Sequence, residues 1–418
     1  MPITTTSYDV LIIGAGPAGT CAAALLRQNG YSVAIIEKES FPRFSIGESL
    51  LPQSMVFLKN AGLLDDVIRH GFQEKNGAVF LCNDAFSTFN FEDKYTNGPF
   101  TTFQVKRSNF DKVLADTCVR KGVKIYYKHA VTNIKFSPSE VNVSALDLTT
   151  NQPVHFYGRF VLDASGFGRV LPKLLNLDKK SDFPVRRAIF GHVKIKFPEH
   201  FDIKKILITV DPQDRGVWLW TIPLSDNTCS IGVVAKEEYY AQYPHLSDQD
   251  ILLKIIEGSP KLNEILKNSE FITDCRSLTG YASNVTSLYG DRFALLGNAG
   301  EFLDPIFSSG VTIALHSAEL AAGLICRQLK GETVNWETDF SQALKVGVET
   351  FKAFVNAWYN YDLQSIIFYP KPDSRIKKMI CSILAGYAWD QTNPYVVKAE
   401  VRIRELANMC RLQTGKLD

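Results

Sequence analysis

Two glycine clusters, far apart in the chain, carry its most legible chemistry. The first is Gly14-Ala15-Gly16-Pro17-Ala18-Gly19, which follows an apolar run at residues 8–13 and opens an Ala- and Leu-rich stretch at 17–29. A second apolar run at 32–36 ends on Glu37, about 20 residues beyond the first glycine, the distance at which a dinucleotide fold places its ribose-binding acid. Gly14 suits a tight turn, Gly16 a backbone approach to a pyrophosphate, and Gly19 close helix–strand packing. Pro17 and Ala18 would open a helix whose free N–H groups and dipole attract the phosphates. A glycine turn without a ligand would leave the position of Glu37 unexplained. The second cluster, Gly297-Asn298-Ala299-Gly300-Glu301-Phe302-Leu303-Asp304-Pro305-Ile306-Phe307-Ser308-Ser309-Gly310, is another glycine-rich loop entering a helix. It can hold the far half of a cofactor that stays bound. The pair points to tightly held, non-covalent FAD rather than to a nicotinamide that comes and goes.

Those clusters need a large scaffold, and composition allows one. The chain has 418 residues, 45% hydrophobic and 22% charged, which suits a globular protein of two or three domains. A net charge of +2 with no basic stripe gives no reason to expect a nucleic-acid partner. No run reads as the roughly 20 apolar residues of a membrane span, and Met1 to Thr6 lack the basic-then-apolar pattern of a signal peptide. Eight scattered cysteines show no CxxC or Cys/His spacing, so no metal site is expected. They read as small core residues of a cytoplasmic protein.

Further motifs fall in a telling order. Phe41-Pro42-Arg43 leads into Gly47-Glu48-Ser49-Leu50-Leu51-Pro52, and Val105-Lys106-Arg107 precedes Phe110-Asp111. Asp163-Ala164-Ser165-Gly166 follows the apolar Phe160-Val161-Leu162, and Trp218-Leu219-Trp220-Thr221-Ile222-Pro223 comes before the second glycine loop. In this order the chain resembles the flavin-dependent halogenases, within the FAD monooxygenases shaped like p-hydroxybenzoate hydroxylase. Geranylgeranyl reductases share the scaffold. The resemblance runs from about residue 8 to residue 328. It implies cofactor contacts at Lys38, Arg43, Ser49, Arg107, Asp163, Gly166, Gly297, Asn298, Asp304, Gly310 and Val311, besides the first glycine turn and Glu37. The family's usual Gly-Asp is here Gly297-Asn298; the amide still accepts, and also donates, but without the charge.

The resemblance also implies the chemistry. Halide would attack a flavin C4a-hydroperoxide to give hypohalous acid, which passes to Lys75 in Glu74-Lys75-Asn76-Gly77-Ala78. Read locally, Lys75 is a solvated charge in a polar turn; the family's position makes it the group that delivers the halogen. The backbone at Ser309 and Gly310 would bind halide, although plain helix capping by serine explains the same residues. Trp218 and Trp220, on one face of a strand, would keep the organic substrate from the flavin. An aromatic core strand is the plain alternative. No glutamate of the tryptophan-acting branch stands beside Ser308-Ser309, which favours a phenol- or pyrrole-type substrate.

The expected architecture is α/β. A discontinuous Rossmann-like FAD domain takes residues 1–75, 101–182 and 272–335, an inserted mixed β-sheet substrate domain takes 76–100 and 183–271, and a helical region takes 336–418. Residues 111–121 read as a helix and 124–128 as a strand. Phe351, Phe354, Trp358, Tyr359, Tyr361, Phe368 and Tyr369 would complete the core, roof a substrate pocket or dock a carrier protein. As a halogenase the chain needs halide, reduced FAD from a separate NAD(P)H-dependent flavin reductase, and an aromatic substrate, free or tethered to a carrier protein. A reductase or dehydrogenase, an aromatic hydroxylase and a non-catalytic flavin-binding regulator compete with that reading.

Overall fold

The computed structural model describes residues 6–414, so most of the N-terminal segment read above for a signal peptide lies outside the described residues. Strand β1 (Thr6–Ile13), helix α1 (Pro17–Gln28) and strand β2 (Val33–Ile36) form the expected unit. Pro17 starts α1, where a missing N–H costs nothing, and its run of alanines makes a thin helix that lies close on the sheet. After β2 come β3 (Gln73–Lys75), β4 (Gly77–Cys82), β5 (Ala85–Asn90) and β6 (Thr102–Gln104), then α2 (Arg107–Arg120). Next are β7 (Lys124–Tyr126), β8 (His129–Phe136), β9 (Val141–Asp147) and the long β10 (Gln152–Asp163). The second half holds β11 (Arg186–Lys194), β12 (Lys205–Val210), β13 (Trp218–Leu224), β14 (Thr228–Lys236) and α3 (Asp248–Glu257). It closes with β15 (Arg276–Thr279), β16 (Phe293–Leu295), α4 (Ser309–Leu329), α5 (Ala343–Tyr359) and α6 (Ala399–Thr414).

In the first sheet the order is β16-β10-β1-β2-β7, all parallel, with β9 and β8 added antiparallel beside β10. Register decides what this sheet presents. Ile13 pairs with Asp163 and with Ile36, and Asp163 pairs with Leu295. The loops after these strands therefore emerge side by side at the carboxyl edge, where open α/β sheets bind ligands. They bring Gly14, Glu37, Ala164 to Gly166, and Leu296 to Asn298 to one edge.

The second sheet runs β15-β11-β14-β13-β12-β4-β5. Alternation along its strands sorts the two faces. Leu207, Leu219, Ile231 and Val233 turn outward onto Ile251, Leu252 and Ile255 of α3. Ile206, Ile208, Trp218, Ile222, Ala188 and Phe190 turn inward onto the core that the first sheet shares. Because Arg276–Thr279 pairs with β11, this sheet continues past residue 271, where the substrate segment was expected to end.

Helix α4 was not foreseen as a membrane-length segment, yet it is long and apolar enough to span a bilayer by length and composition. In the fold it is a core helix, mostly buried, packed on α1 and α5. Phe351, Phe354 and Trp358 are fully buried, so these tail aromatics complete the core, while Tyr359, Tyr361, Phe368 and Tyr369 remain partly exposed. Six of the eight cysteines are buried, and no metal-binding cluster of His, Cys, Asp or Glu occurs among the described residues.

Candidate active site

Between the carboxyl edge of the first sheet and the inner face of the second lies a cavity of about 560 Å3, within the usual range for cofactor sites. Gly14, Gly16, Pro17 and Ala18 line one end, with Glu37, Lys38 and Arg43 beside them. Gly14 adopts φ +98°, and a Cβ there would stand 2.6 Å from the Ala164 carbonyl oxygen, so the turn requires glycine. Gly19 does not reach the cavity. It lies against the Gly14 carbonyl, where a Cβ would come within 2.0 Å. Glu37 accepts the Ala15 N–H at 2.7 Å and the Glu39 N–H at 2.9 Å. A carboxylate has about four lone-pair positions, which leaves capacity for ribose hydroxyls.

The middle of the cavity is charged and braced. Arg107 grips Asp111 through two bonds of 2.8 and 3.0 Å, and its other arm donates to the Ile46 carbonyl. Arg43 approaches Asp111 at 3.3 Å and Glu37 at 3.9 Å. Two cationic neighbours thus compensate a fully buried Asp111. Arg43 Nε and the hydroxyl of Ser49, both belonging to residues of the cavity wall, are buried without a hydrogen-bond partner among the described residues. Those unspent groups, the helix start at Gly16 and the acid at Glu37 fit the pyrophosphate and ribose of FAD.

At the far end Gly166, Asn298, Ser309, Gly310 and Val311 also line the cavity. Ser308 gives α4 no side-chain cap, so the serine capping considered from sequence does not occur there. The first-turn N–H groups of α4 keep their full affinity for an anion.

Besides Gly19, three residues expected at the cofactor lie outside the cavity lining. Asp163 is fully buried, and its carboxylate accepts the N–H groups of Ser165 at 2.9 Å and Leu171 at 2.6 Å. Burial raises its pKa despite these bonds. Asp163 shapes the 164–168 turn, and that turn meets the cavity in its place. Gly297 packs on α4, where a Cβ would sit 2.7 Å from that of Ala314; its neighbours Leu296 and Asn298 face the cavity. Asp304 is buried behind the wall. It accepts Ile306 N–H at 3.0 Å, Tyr359 hydroxyl at 2.9 Å and Tyr281 hydroxyl at 3.3 Å. Burial pushes its carboxyl up to about 6 against the pull of these bonds and of Arg186.

Trp218 and Trp220 both face the cavity, with ring centroids 5.9 Å apart. Trp218 donates to the Tyr359 hydroxyl at 3.0 Å, and Trp220 to the Ser230 hydroxyl at 3.1 Å. Gly232 lies opposite Trp220 in the ladder, and a Cβ there would come 2.4 Å from the indole, so the ring occupies space that only glycine leaves.

Lys75 is neither a surface charge nor part of the cavity wall. It is 1% exposed, and its Nζ donates to the Leu50 carbonyl at 2.9 Å while standing 5.4 Å from the centre of the Phe91 ring. The polar neighbour Glu74 pairs instead with Lys204 at 3.1 Å. No carboxylate lies within ion-pairing reach of Lys75 among the described residues, and burial pulls its ammonium down to about 7.

Several contributors had no sequence signal. His192 and Glu48 share a hydrogen bond of 2.7 Å at the cavity wall; Glu48 stood in a recognised motif, but its partner comes from a distant strand. Arg169 holds the second glycine loop through the carbonyls of Ala299 at 3.3 Å and Gly300 at 3.1 Å. Tyr281, Tyr359 and Gly232 likewise act through contacts that spacing does not encode.

The profile of the FAD binding domain family matches residues 7–339. A solved structure described as a flavoprotein/dehydrogenase from Cytophaga hutchinsonii is 43% identical, with TM-score 0.94 over 98% of this chain and 100% of the other. A 1H-pyrrole-2-carbonyl-[peptidyl-carrier protein] brominase of Pseudoalteromonas luteoviolacea is 31% identical over 80% of both chains. A flavin-dependent halogenase of Armillaria mellea is 30% identical over 82% of this chain and 69% of its own length.

Proposed function

This chain belongs to the flavin-dependent halogenases, a family of FAD-dependent oxidoreductases, and from that premise we propose that it halogenates an electron-rich ring of phenol or pyrrole type. Reduced FAD with O2 supplies the oxidising equivalents that turn halide into hypohalous acid. The protein's own part is binding and separation. The α4 N-terminus at Ser309 and Gly310 holds the halide through free N–H groups. Trp218 and Trp220 keep the organic ring out of the flavin cavity, and Lys75 holds the oxidant for transfer to it.

One observation carries this reading: a primary amine buried at 1% exposure, with no carboxylate partner among the described residues. A structural lysine in that position would offset its desolvation with no ion pair, only with the Leu50 carbonyl and the Phe91 ring. Its pKa of about 7 leaves a large neutral fraction at physiological pH, able to accept as well as donate. The Leu50 carbonyl that it reaches is next to Ser49 of the cavity wall.

The brominase relative acts, by its name, on a pyrrole tethered to a carrier protein, which supports a tethered substrate here. Reduced flavin would come from a separate NAD(P)H-dependent reductase, and the mostly buried cysteines suit a reducing cytoplasm. The 43% identity to a protein described as a flavoprotein/dehydrogenase favours a second reading, oxidation or reduction of a C–C bond at the same cofactor site. That chemistry needs neither halide nor Lys75. Product mass decides between them: reaction of the reduced holoenzyme with a phenol or pyrrole in bromide should add bromine. Product of the same mass with and without bromide would support the second reading.

A further inference from the structure

Behind the tryptophan wall, a chain of hydrogen bonds runs from the sheet to the second glycine loop. The Trp218 indole N–H donates to the Tyr359 hydroxyl at 3.0 Å, and that hydroxyl donates to Asp304 Oδ2 at 2.9 Å. Tyr281, a residue of the cavity wall, donates to the same oxygen at 3.3 Å. The other oxygen, Oδ1, accepts the Ile306 N–H at 3.0 Å and so caps the turn at 305–307 that leads into α4. The direction of the chain is forced. An indole N–H can only donate, so the Tyr359 oxygen accepts it, and the tyrosine's own proton is left for the carboxylate.

The chain ties together elements far apart in sequence. Trp218 belongs to β13, Tyr359 is the last residue of α5, and Asp304 lies in the loop whose Pro305 and Ser308 line the cavity. Phe307 docks α5 on that loop, its ring meeting Phe354 and Trp358 edge-on at 6.1 and 6.2 Å. Arg186 of β11 covers the group, with its guanidinium carbon 3.3 Å from the centre of the Tyr359 ring. Its charge also favours the ionised form of Asp304, which is 3% exposed. The two indoles are therefore held differently. Trp220 bonds to Ser230 of the adjacent strand, whereas Trp218 is held by the cofactor loop through Tyr359. A polar chain with each member bonded fixes one orientation of the ring, which apolar packing alone does not do.

We propose that Tyr359 and Asp304 are positioning residues that lock the Trp218 indole in the cavity wall, so that the loop beside the flavin also sets how tightly organic molecules are kept from it. The barrier role of Trp218 rests on the function proposed above; the lock itself does not. Two substitutions take it apart without removing the ring. Tyr359→Phe deletes the hydroxyl and leaves an aromatic face for Arg186. Asp304→Asn separates the two tasks of the carboxylate: the amide oxygen still caps Ile306, but the NH2 group cannot accept from either tyrosine.

The test follows the Trp218 indole N–H by NMR in oxidised holoenzyme carrying nitrogen-labelled tryptophan, assigned against Trp218→Phe. Deuterium exchange at that group should be roughly fivefold faster in Tyr359→Phe and in Asp304→Asn, the size of one lost hydrogen bond. Trp220, bonded to Ser230, should keep its rate. A phenol added to either oxidised variant should perturb the flavin absorbance at concentrations that leave the wild type unchanged. In turnover with reduced FAD, O2 and bromide, part of the product should become hydroxylated. One oxygen atom of O2 then enters a ring C–H bond, the other leaves as water, and reduced FAD supplies both electrons. Wild-type exchange in Tyr359→Phe overturns the lock, as does faster exchange with the flavin still shielded from phenol. If the wild type gives no bromide-dependent product, the proposed function fails alone, and the exchange and phenol readouts still decide the lock.

Discussion

The cofactor edge and the tryptophan–lysine region sit on facing sheets, yet they do their work with different parts of the chain. At the edge, backbone does most of it: a glycine turn, two helix starts and four aligned strand ends. In the facing region side chains would do it: two indoles wedged into the ladder and a buried amine with no counter-charge among the described residues. Backbone function constrains residue type wherever a Cβ would collide, so it writes itself into sequence. Side-chain function depends on what packs around the residue, which spacing does not record.

Substitutions in the two regions should therefore fail differently. Trp218→Ala, which empties a site at 1% exposure, should cost about 3–5 kcal/mol of stability while flavin uptake persists. Urea unfolding with a midpoint unchanged from wild type would show that the ring is not part of the core. Lys75 gives a pH signature. Its folded pKa of about 7 lies below the ordinary 10.5, so the folded state binds fewer protons than the unfolded between those values. The destabilisation is complete below about 7 and is relieved as pH climbs toward 10.5, a swing of up to roughly 5 kcal/mol. Stability that rises over that window in the wild type and much less in Lys75→Met is the expected pair of curves; parallel curves would place the amine in water.

The edge should lose flavin first. Gly14→Val puts a side chain 2.6 Å from a carbonyl oxygen at φ +98°, and FAD affinity should drop about 100-fold, roughly 3 kcal/mol. Stoichiometric flavin absorbance in the purified variant would break the assignment of that turn. The smallest effect belongs to Gly232→Ala, which crowds the Trp220 ring at 2.4 Å and should cost about 1–3 kcal/mol. A lowered melting temperature with a shifted tryptophan emission would check it.

The same contrast explains what the sequence made legible. Gly14, Gly16 and Glu37 could be read because strand, turn, helix and acid recur at fixed distances. Asp163 and Asp304 sat in recognised motifs but face inward, since spacing does not say which way a carboxylate turns. Lys75 looked solvated because Glu74 and Asn76 flank it; the segments that bury it, 48–50 and 102–105, pair with it only in three dimensions. Tyr359 lay among the tail aromatics, and nothing local marked it as the acceptor for the Trp218 indole.

The central claim is that the two regions act in series, one making the oxidant and the other delivering it. The most direct measurement is a single turnover of reduced Lys75→Met holoenzyme with O2, bromide and an electron-rich phenol, following flavin absorbance and product mass together. Flavin binding and reoxidation at the wild-type rate, with brominated product absent and free hypobromite in its place, is the expected result. Brominated product at the wild-type yield would contradict it.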